Sequence, residues 1–480
     1  MKKSIIILSS LFITAIMQGQ IIPQPKSGPA PTIKIGKPES FQLKNGLKVM
    51  IVENHKLPRV SFTLTLDNAP YTEGAKKGVA DLTSSLIGNG TKKISKTAFN
   101  EEIDFMGASI NFSSNGASGN SLSKYSGRVL QLLAEGALNP NFTQEEFDKE
   151  KAKIIEGLKA NEKSVPAVAS RINDFLTFGK DHPNGEYVTE TTIKNVTLAD
   201  VEANYNSYFV PENAYLIIVG DVKFAETKKA VEKLFGSWKK AAAPVQTYAE
   251  PKDVGFSQIN FVDMPNAVQS EVAVVNLVNL KMTDPDYFPA LVANQILGGD
   301  FNSYLNMNLR EAHGWTYGAG SSIRGDKRLT KFEASTQVRN AVTDSTVVEI
   351  FKEYKKIRTE KVTDEMLASV KAGYIGRFVM QIEKPQTVAG YALRIQTQNL
   401  PADFYENYIK NINAVTADDV MRVANKYFLA DNSRILIVGK GADVVPALEK
   451  LKIPILFFDK YGNAVEKPVF KKEVPKGMTA

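Results

Sequence analysis

Apolar residues recur along this chain with two distinct periods. In GVADLTSSLIGNGTKK (Gly78–Lys93), Val79, Leu82, Leu86 and Ile87 fall at helical spacing, and the run ends at Gly88-Asn89-Gly90. Asp81, Ser84 and Ser85 stand at i, i+3 and i+4, so they share another face of the same predicted helix. TQEEFDKEKAKIIEGLKANEKS from Thr143 and TDEMLASVKAGYIGRFVMQIEKPQ from Thr363 read as capped amphipathic helices. LKVMIVEN and RVSFTLTLDN predict neighbouring strands, as do INFVDMP and SEVAVVNLVNL further on. AYLIIVGD and RILIVGKG predict buried strands ended by Gly.

These segments recur in order, which makes the chain a duplication. Ile193–Val222 aligns without gaps on Ile412–Gly441, matching Val196-Thr197 with Val415-Thr416, Asp200-Val201 with Asp419-Val420 and Tyr208-Phe209 with Tyr427-Phe428. Thr197 and Thr416 each precede an Asp by three residues, a capping-box spacing. LIGNG at Leu86 echoes ILGGD at Ile296. Strands come in adjacent pairs separated by blocks of helices. The expectation is therefore an α+β chain of two homologous domains, each a largely antiparallel sheet packed with helices. The boundaries read as a signal peptide over 1–19, an extended Pro-rich arm over 20–40, an N-terminal domain over 41–238, a linker over 239–252, a C-terminal domain over 253–465 and a tail over 466–480.

Composition narrows the setting. Lys2 and Lys3 precede a twelve-residue apolar run, Ile5–Ile16, and Gly19 offers a small residue at a cleavage point. That is a secretory signal, well short of the roughly 20 residues that span a bilayer. Without a single cysteine, the chain has no disulfide, thiol nucleophile, thiolate metal site or lipoprotein anchor. An exported chain held together by its core alone fits the periplasm, with an extracellular setting also open. The net charge of +7 is carried by scattered lysines, and KPVFKKEVPKG reads as a solvated tail rather than a nucleic-acid or membrane patch.

Candidate chemistry is sparse. The three histidines, His55, His182 and His313, are far apart in sequence, so no His-x-x-x-His pair exists, and each reads as a turn or surface residue. There is no nucleophile elbow, P-loop or dinucleotide fingerprint. The segment NMNLREAHGWTYGAGSSIRG stands out, with Arg310 and Tyr317 seven residues apart at the entrance to a Gly-rich strand. A guanidinium fork and a phenol suit a peptide carbonyl or carboxylate. Equally, the residues alone allow an Arg capping a helix and a Tyr in the core.

From about Phe41 to Gly441 the chain resembles the insulinase/pitrilysin (inverzincin) family of zinc metallopeptidases, which includes the mitochondrial processing peptidases. FQLKNGLKVMIVENHKLPRVSFTLTLDN resembles its opening strands, HPNGE at His182 its His-Pro-Tyr-Gly turn, and LREAHGWTYGAGS its Leu-Arg-Glu…Gly-Leu-Thr-Tyr-Gly segment. The resemblance implies a processing-peptidase-like fold, with Arg310 and Tyr317 as substrate-binding residues. It also implies that Asp81, Ser84 and Ser85 stand where the family has its first zinc His, its general-base Glu and its second zinc His. Gly157 falls at the third ligand, and Glu156 beside it points about 100° away around a helix.

A zinc peptidase needs three ligands, an open fourth position and a base. The resemblance therefore implies a non-catalytic, substrate-binding subunit with no metal of its own, completing the site of a His-x-x-Glu-His partner that carries the zinc. Two alternatives stay open: a structural or peptide-binding module of the same fold, and an enzyme with relocated chemistry.

Overall fold

Residues 36–470 are described by a computed structural model. The expected signal peptide, most of the Pro-rich arm and the end of the tail lie outside these residues. In the first half the elements run β1 (Glu39–Gln42), β2 (Lys48–Glu53), β3 (Arg59–Leu66), α1 (Val79–Leu86), α2 (Lys96–Phe105), β4 (Ser109–Ser113), β5 (Gly116–Leu122), α3 (Ser126–Leu138), α4 (Gln144–Asn161), α5 (Val165–Phe178), α6 (Glu190–Asn195), α7 (Leu198–Tyr208), β6 (Ala214–Gly220) and α8 (Phe224–Phe235). The second half opens with β7 (Gln258–Asp263), β8 (Gln269–Val278), α9 (Tyr287–Asn294), the short α10 (Tyr304–Asn306), β9 (Ala319–Ser322) and β10 (Thr330–Arg339). It continues with α11 (Thr343–Thr359), α12 (Asp364–Ile382), α13 (Pro385–Thr397), α14 (Tyr408–Ala414), α15 (Ala417–Tyr427), β11 (Arg434–Gly439), α16 (Gly441–Leu448), β12 (Ile455–Phe458) and β13 (Ala464–Val465).

The strand orders are β1-β2-β6-β3-β5-β4 and β13-β12-β7-β11-β8-β10-β9. Their cores correspond strand for strand, and all neighbours are antiparallel except β2–β6, β7–β11 and β7–β12. This is the expected α+β architecture. Two boundaries differ in detail from the sequence reading. Glu39 and Ser40, assigned to the arm, pair with Ile51 and Met50 of β2. Residues 239–257 carry no helix or strand, yet they are strapped down: the Gln246 side chain accepts from Thr72 N at 2.9 Å, and Tyr248 packs edge-on against His182.

One face of the first sheet packs on α3. Val60, Phe62 and Leu64 of β3 and Leu216 and Ile218 of β6 meet Val129, Leu132 and Leu133 there. The alternate residues of β6, Tyr215, Ile217 and Val219, point the other way, against Ala389, Ala392 and Leu393 of α13. That helix belongs to the second half. Reciprocally, Val168, Ala169 and Ile172 of α5 cover Leu436 and Val438 of β11 and Ala273 and Val275 of β8. Each half thus lends a helix to the other's sheet, so β6 is buried at every residue. The described residues fall in one compact unit.

Candidate functional site

The first cluster is built around α1. Gly78 starts the helix at φ +105°, and a Cβ there would come within 2.4 Å of Ile193. No N-cap side chain serves the helix. Instead Glu73 reaches back, its Oε2 accepting from Gly78 N and Ala80 N at 3.0 Å each. Its other oxygen accepts from Lys77 at 2.8 Å, and Glu186 in turn accepts from Glu73 N and Gly74 N. Burial opposes the charge on Lys77, but Glu73 and Glu186 override it and raise its pKa. Val79, Leu82 and Leu86 pack on Phe147, Ile193 and Val196.

The polar face of α1 is engaged within the fold. Ser84 Oγ donates to Ala80 O at 2.8 Å, accepts from Ser114 N at 2.8 Å and lies 3.0 Å from Ser114 Oγ. Ser85 Oγ donates to Asp81 O at 3.0 Å. Asp81 is exposed as a residue, while neighbouring atoms partly desolvate its carboxyl; that desolvation and the charge of Glu73 raise its pKa, with Lys77 opposing. Gly157 is also exposed, on α4, and a Cβ there would meet nothing within 4 Å.

The second cluster follows α9. The helix widens into a π-turn over Gln295–Gly299, and a second π-turn spans Met307–Ala312. Leu309 is buried, and Asn308 Nδ2 is clamped between Glu349 and Glu353 of α11 at 2.7 and 2.6 Å. These two anchors turn Arg310 outward. Its Nε lies 3.4 Å from Glu311, and its guanidinium lies 4.8 Å from the Phe301 ring centroid. Thr316 Oγ1 accepts from Gly318 N at 3.0 Å and hydrogen-bonds Thr336 Oγ1 at 3.0 Å. Tyr317 between them is 93% exposed, so it is not a core tyrosine. Among the described residues, no hydrogen bond or ion pair joins Arg310 or Tyr317 to Asp81, Ser84, Ser85 or Gly157.

The histidines are dispersed. His55 Nδ1 lies 2.7 Å from Asp221, which raises its pKa, and the His313 ring stacks on Trp315. His182 departs from the surface reading: it sits in its turn but is buried, stacked on Phe178, with Nδ1 accepting from Asn184 N. Glu73, Glu186 and Asn308 were not singled out from sequence. The only local signal was the i, i+4 pair Glu73–Lys77.

Two family models match, Insulinase (Peptidase family M16) over residues 48–177 and Peptidase M16 inactive domain over residues 195–374. The chain belongs to the insulinase family, M16. A "Non-peptidase homolog YmxG" from Helicobacter pylori is 21% identical over 78% of this M16 chain and 88% of its own. "Zinc protease PqqE" of the same bacterium is 24% identical over 82% and 90%. Among solved structures, a peptidase M16 inactive domain from Pseudomonas fluorescens superposes with a TM-score of 0.74 at 23% identity, covering 84% of this chain and 98% of its own. The first half of the periplasmic protease PqqL from Escherichia coli gives 0.67 at 15% identity, covering 90% and 98%. The chain is a non-catalytic type of M16 member. Asp81, Ser84 and Ser85 are the residues that the sequence resemblance aligns with the zinc motif. These residues do not fit zinc. One exposed carboxylate and two hydroxyls turned to backbone carbonyls are a poor donor set, and among the described residues no three His, Asp or Glu side chains gather to hold a metal.

Proposed function

We propose that this chain is the non-catalytic, substrate-binding subunit of an exported, heteromeric zinc metallopeptidase. A second M16 chain with an intact His-x-x-Glu-His motif supplies the zinc and the base. This chain supplies Arg310 and Tyr317, which hold the peptide and donate to the oxyanion of the scissile carbonyl. The observation that carries the reading is the outward presentation of this pair. Tyr317 is almost fully exposed on a threonine-pinned turn, and Arg310 leans on an exposed Phe301 beside it. The relatives give further support, since one bacterium has both a protein named a non-peptidase homolog and one named a zinc protease. Export to the periplasm is supported by the N-terminal Lys-Lys and apolar pattern, and by the description of the PqqL neighbour.

The test is peptidase activity on unstructured peptides, using the purified mature chain alone and mixed with a zinc-motif M16 chain from the same source. Activity is expected only in the mixture. Arg310→Ala and Tyr317→Phe are each expected to lower it about 10²-fold or more, the scale for an oxyanion donor. Chelator-sensitive activity from this chain alone would overturn the reading. A stable but silent complex would assign the chain a structural, peptide-binding role instead.

A further inference from the structure

Arg310 and Tyr317 are carried on one short loop whose two ends are anchored to different elements. At the Arg310 end, Asn308 Nδ2 donates to Glu349 and Glu353 of α11. At the Tyr317 end, Thr336 Oγ1 of β10 donates to Thr316 Oγ1. Between the anchors the chain turns through Gly314 at φ +62°, where a Cβ would meet nothing within 4 Å. The amides of His313, Gly314 and Trp315 donate back to the carbonyls of Asn308, Arg310 and Leu309, at 3.1, 3.0 and 3.0 Å. Whatever fixes His313 therefore steadies the backbone that carries Arg310.

Within this middle stretch His313 reaches across to α11. Its Nε2 lies 4.0 Å from Glu349 Oε2, and its ring stacks on Trp315 with centroids 4.1 Å apart and planes 19° from parallel. Glu349 is the more enclosed partner, 16% exposed against 36% for His313. Burial opposes the ionisation of Glu349, but the Asn308 amide, Lys352 and His313 hold its pKa below the usual carboxylate range. The other charges on that side are Lys352, which pairs with Glu349 at 3.0 Å, and Glu353, which shares the Asn308 amide. On the loop itself the neighbouring charges are Arg310 and Glu311. The contact with Glu349 is an ion pair only while the imidazole carries its second proton, and an imidazolium on an indole face gains a cation–π attraction that the neutral ring lacks.

We infer that His313 is a proton-sensitive positioning residue for Arg310 and Tyr317. Protonated, it ties the loop to Glu349 and seats on Trp315, and the pair is set for the peptide. On losing the proton it releases the loop. The inference rests on the peptide-holding role proposed above for Arg310 and Tyr317. His313 touches no reacting atom and acts through the loop. Peptide holding is therefore tightest at the acid end of the range in which histidines titrate, roughly pH 5 to 8, and weakens towards the alkaline end.

Two readouts test this. The first is tryptophan emission of the chain alone across that pH range. An imidazolium stacked on an indole quenches it, so emission is expected to fall on acidification in the parent and to stay level in His313→Gln. The chain has two tryptophans, and Trp238 contributes to both proteins alike. The second is kcat/KM of the mixture with a zinc-motif M16 chain, taken as the ratio of parent to variant at each pH, so that titrations of the partner cancel. His313→Gln is expected to lower kcat/KM about two- to fivefold at the acid end, the scale of a partly exposed ion pair, and to match the parent at the alkaline end. His313→Arg keeps its charge at every pH and can stack on Trp315, so it is expected to hold the acid-end value throughout. A residue with a merely structural role would give the same deficit at both ends. The inference is overturned if parent emission does not titrate, if His313→Gln titrates as the parent does, or if the ratio is the same at both ends. A silent mixture counts against the peptidase reading instead, and the emission titration, which needs no partner, then decides for His313 alone.

Discussion

Ser84 makes hydrogen bonds on two sides, to the α1 backbone and to the β4–β5 hairpin at Ser114. The residue that the resemblance sets at the family's general-base position thus serves as a clamp between a helix and a hairpin. Asp81 differs, being exposed and unpaired beside Glu73, and its pKa is raised. A folded-state value above the unfolded one means the associated stability is fully present below the ordinary carboxylate range and lost as pH rises through the folded value. Asp81→Asn is therefore expected to melt higher than the parent at neutral pH and equally below about pH 4, measured by thermal unfolding at both pH values. The open space at Gly157 allows a second test. Asp81→His, Ser85→His and Gly157→Glu together are expected to give the chain a zinc affinity the parent lacks, read by calorimetry; no gain would show that α1 and α4 do not align the three positions. Asp81, Ser84 and Ser85 were legible in sequence as candidates, because flanking residues such as Gly78 and Gly90-Thr91 resemble the family pattern. Glu73 and Glu186 were not, because their partners are backbone amides and a lysine that only the folded turn brings within reach.

At the scale of elements, capping is the part most directly written in the chain. Thr197–Asp200 and Thr416–Asp419 both form complete capping boxes, as their spacing implies. The π-turn over Gln295–Gly299 has no such local signature. Gly298 lies against the backbone of Ser321, where a Cβ would stand 2.3 Å from Ser321 N, so a distant strand sets the shape of the turn. The joint between α9 and α15 depends on Asp286. Burial opposes its ionisation, but Lys426, Arg422 and Tyr427 donate to it and bring its pKa down to about 2. A depressed carboxylate value means stability is present above the unfolded pKa and lost as pH falls through the folded one. Asp286→Asn is expected to cost about 2 kcal/mol at neutral pH, with the deficit shrinking as pH approaches 2, read from urea midpoints.

Across the whole molecule, the exchange of α5 and α13 ties the halves together. Ala389 is 1% exposed against the first sheet, although it lies in the second half. Cleavage within residues 239–257 is therefore expected to leave the two fragments co-eluting on size exclusion under native conditions. Adding Ala389→Trp, which overpacks that contact at a cost of roughly 1–3 kcal/mol, is expected to make the nicked halves separate at lower urea. Independent elution of the nicked parent would mean the exchanged helices contribute little.

What the sequence determined by itself was local: the order of elements, the caps, the recurrence of one half in the other, and the absence of any His-x-x-x-His pair. It also marked AYLIIVGD and RILIVGKG as buried strands, and the structure buries nearly every residue of both. The sequence could not say what covers the second face. Hydrophobic periodicity encodes that a surface must be buried, and burial is non-directional, so any apolar helix of the right width would satisfy it. Only the tertiary structure decided that α13 covers β6 and α5 covers β11. The same holds for Tyr317. Its neighbours in sequence allow core or surface, and the hydroxyl of distant Thr336, donating to Thr316 Oγ1 and Gly318 O, pins the turn that holds it outward.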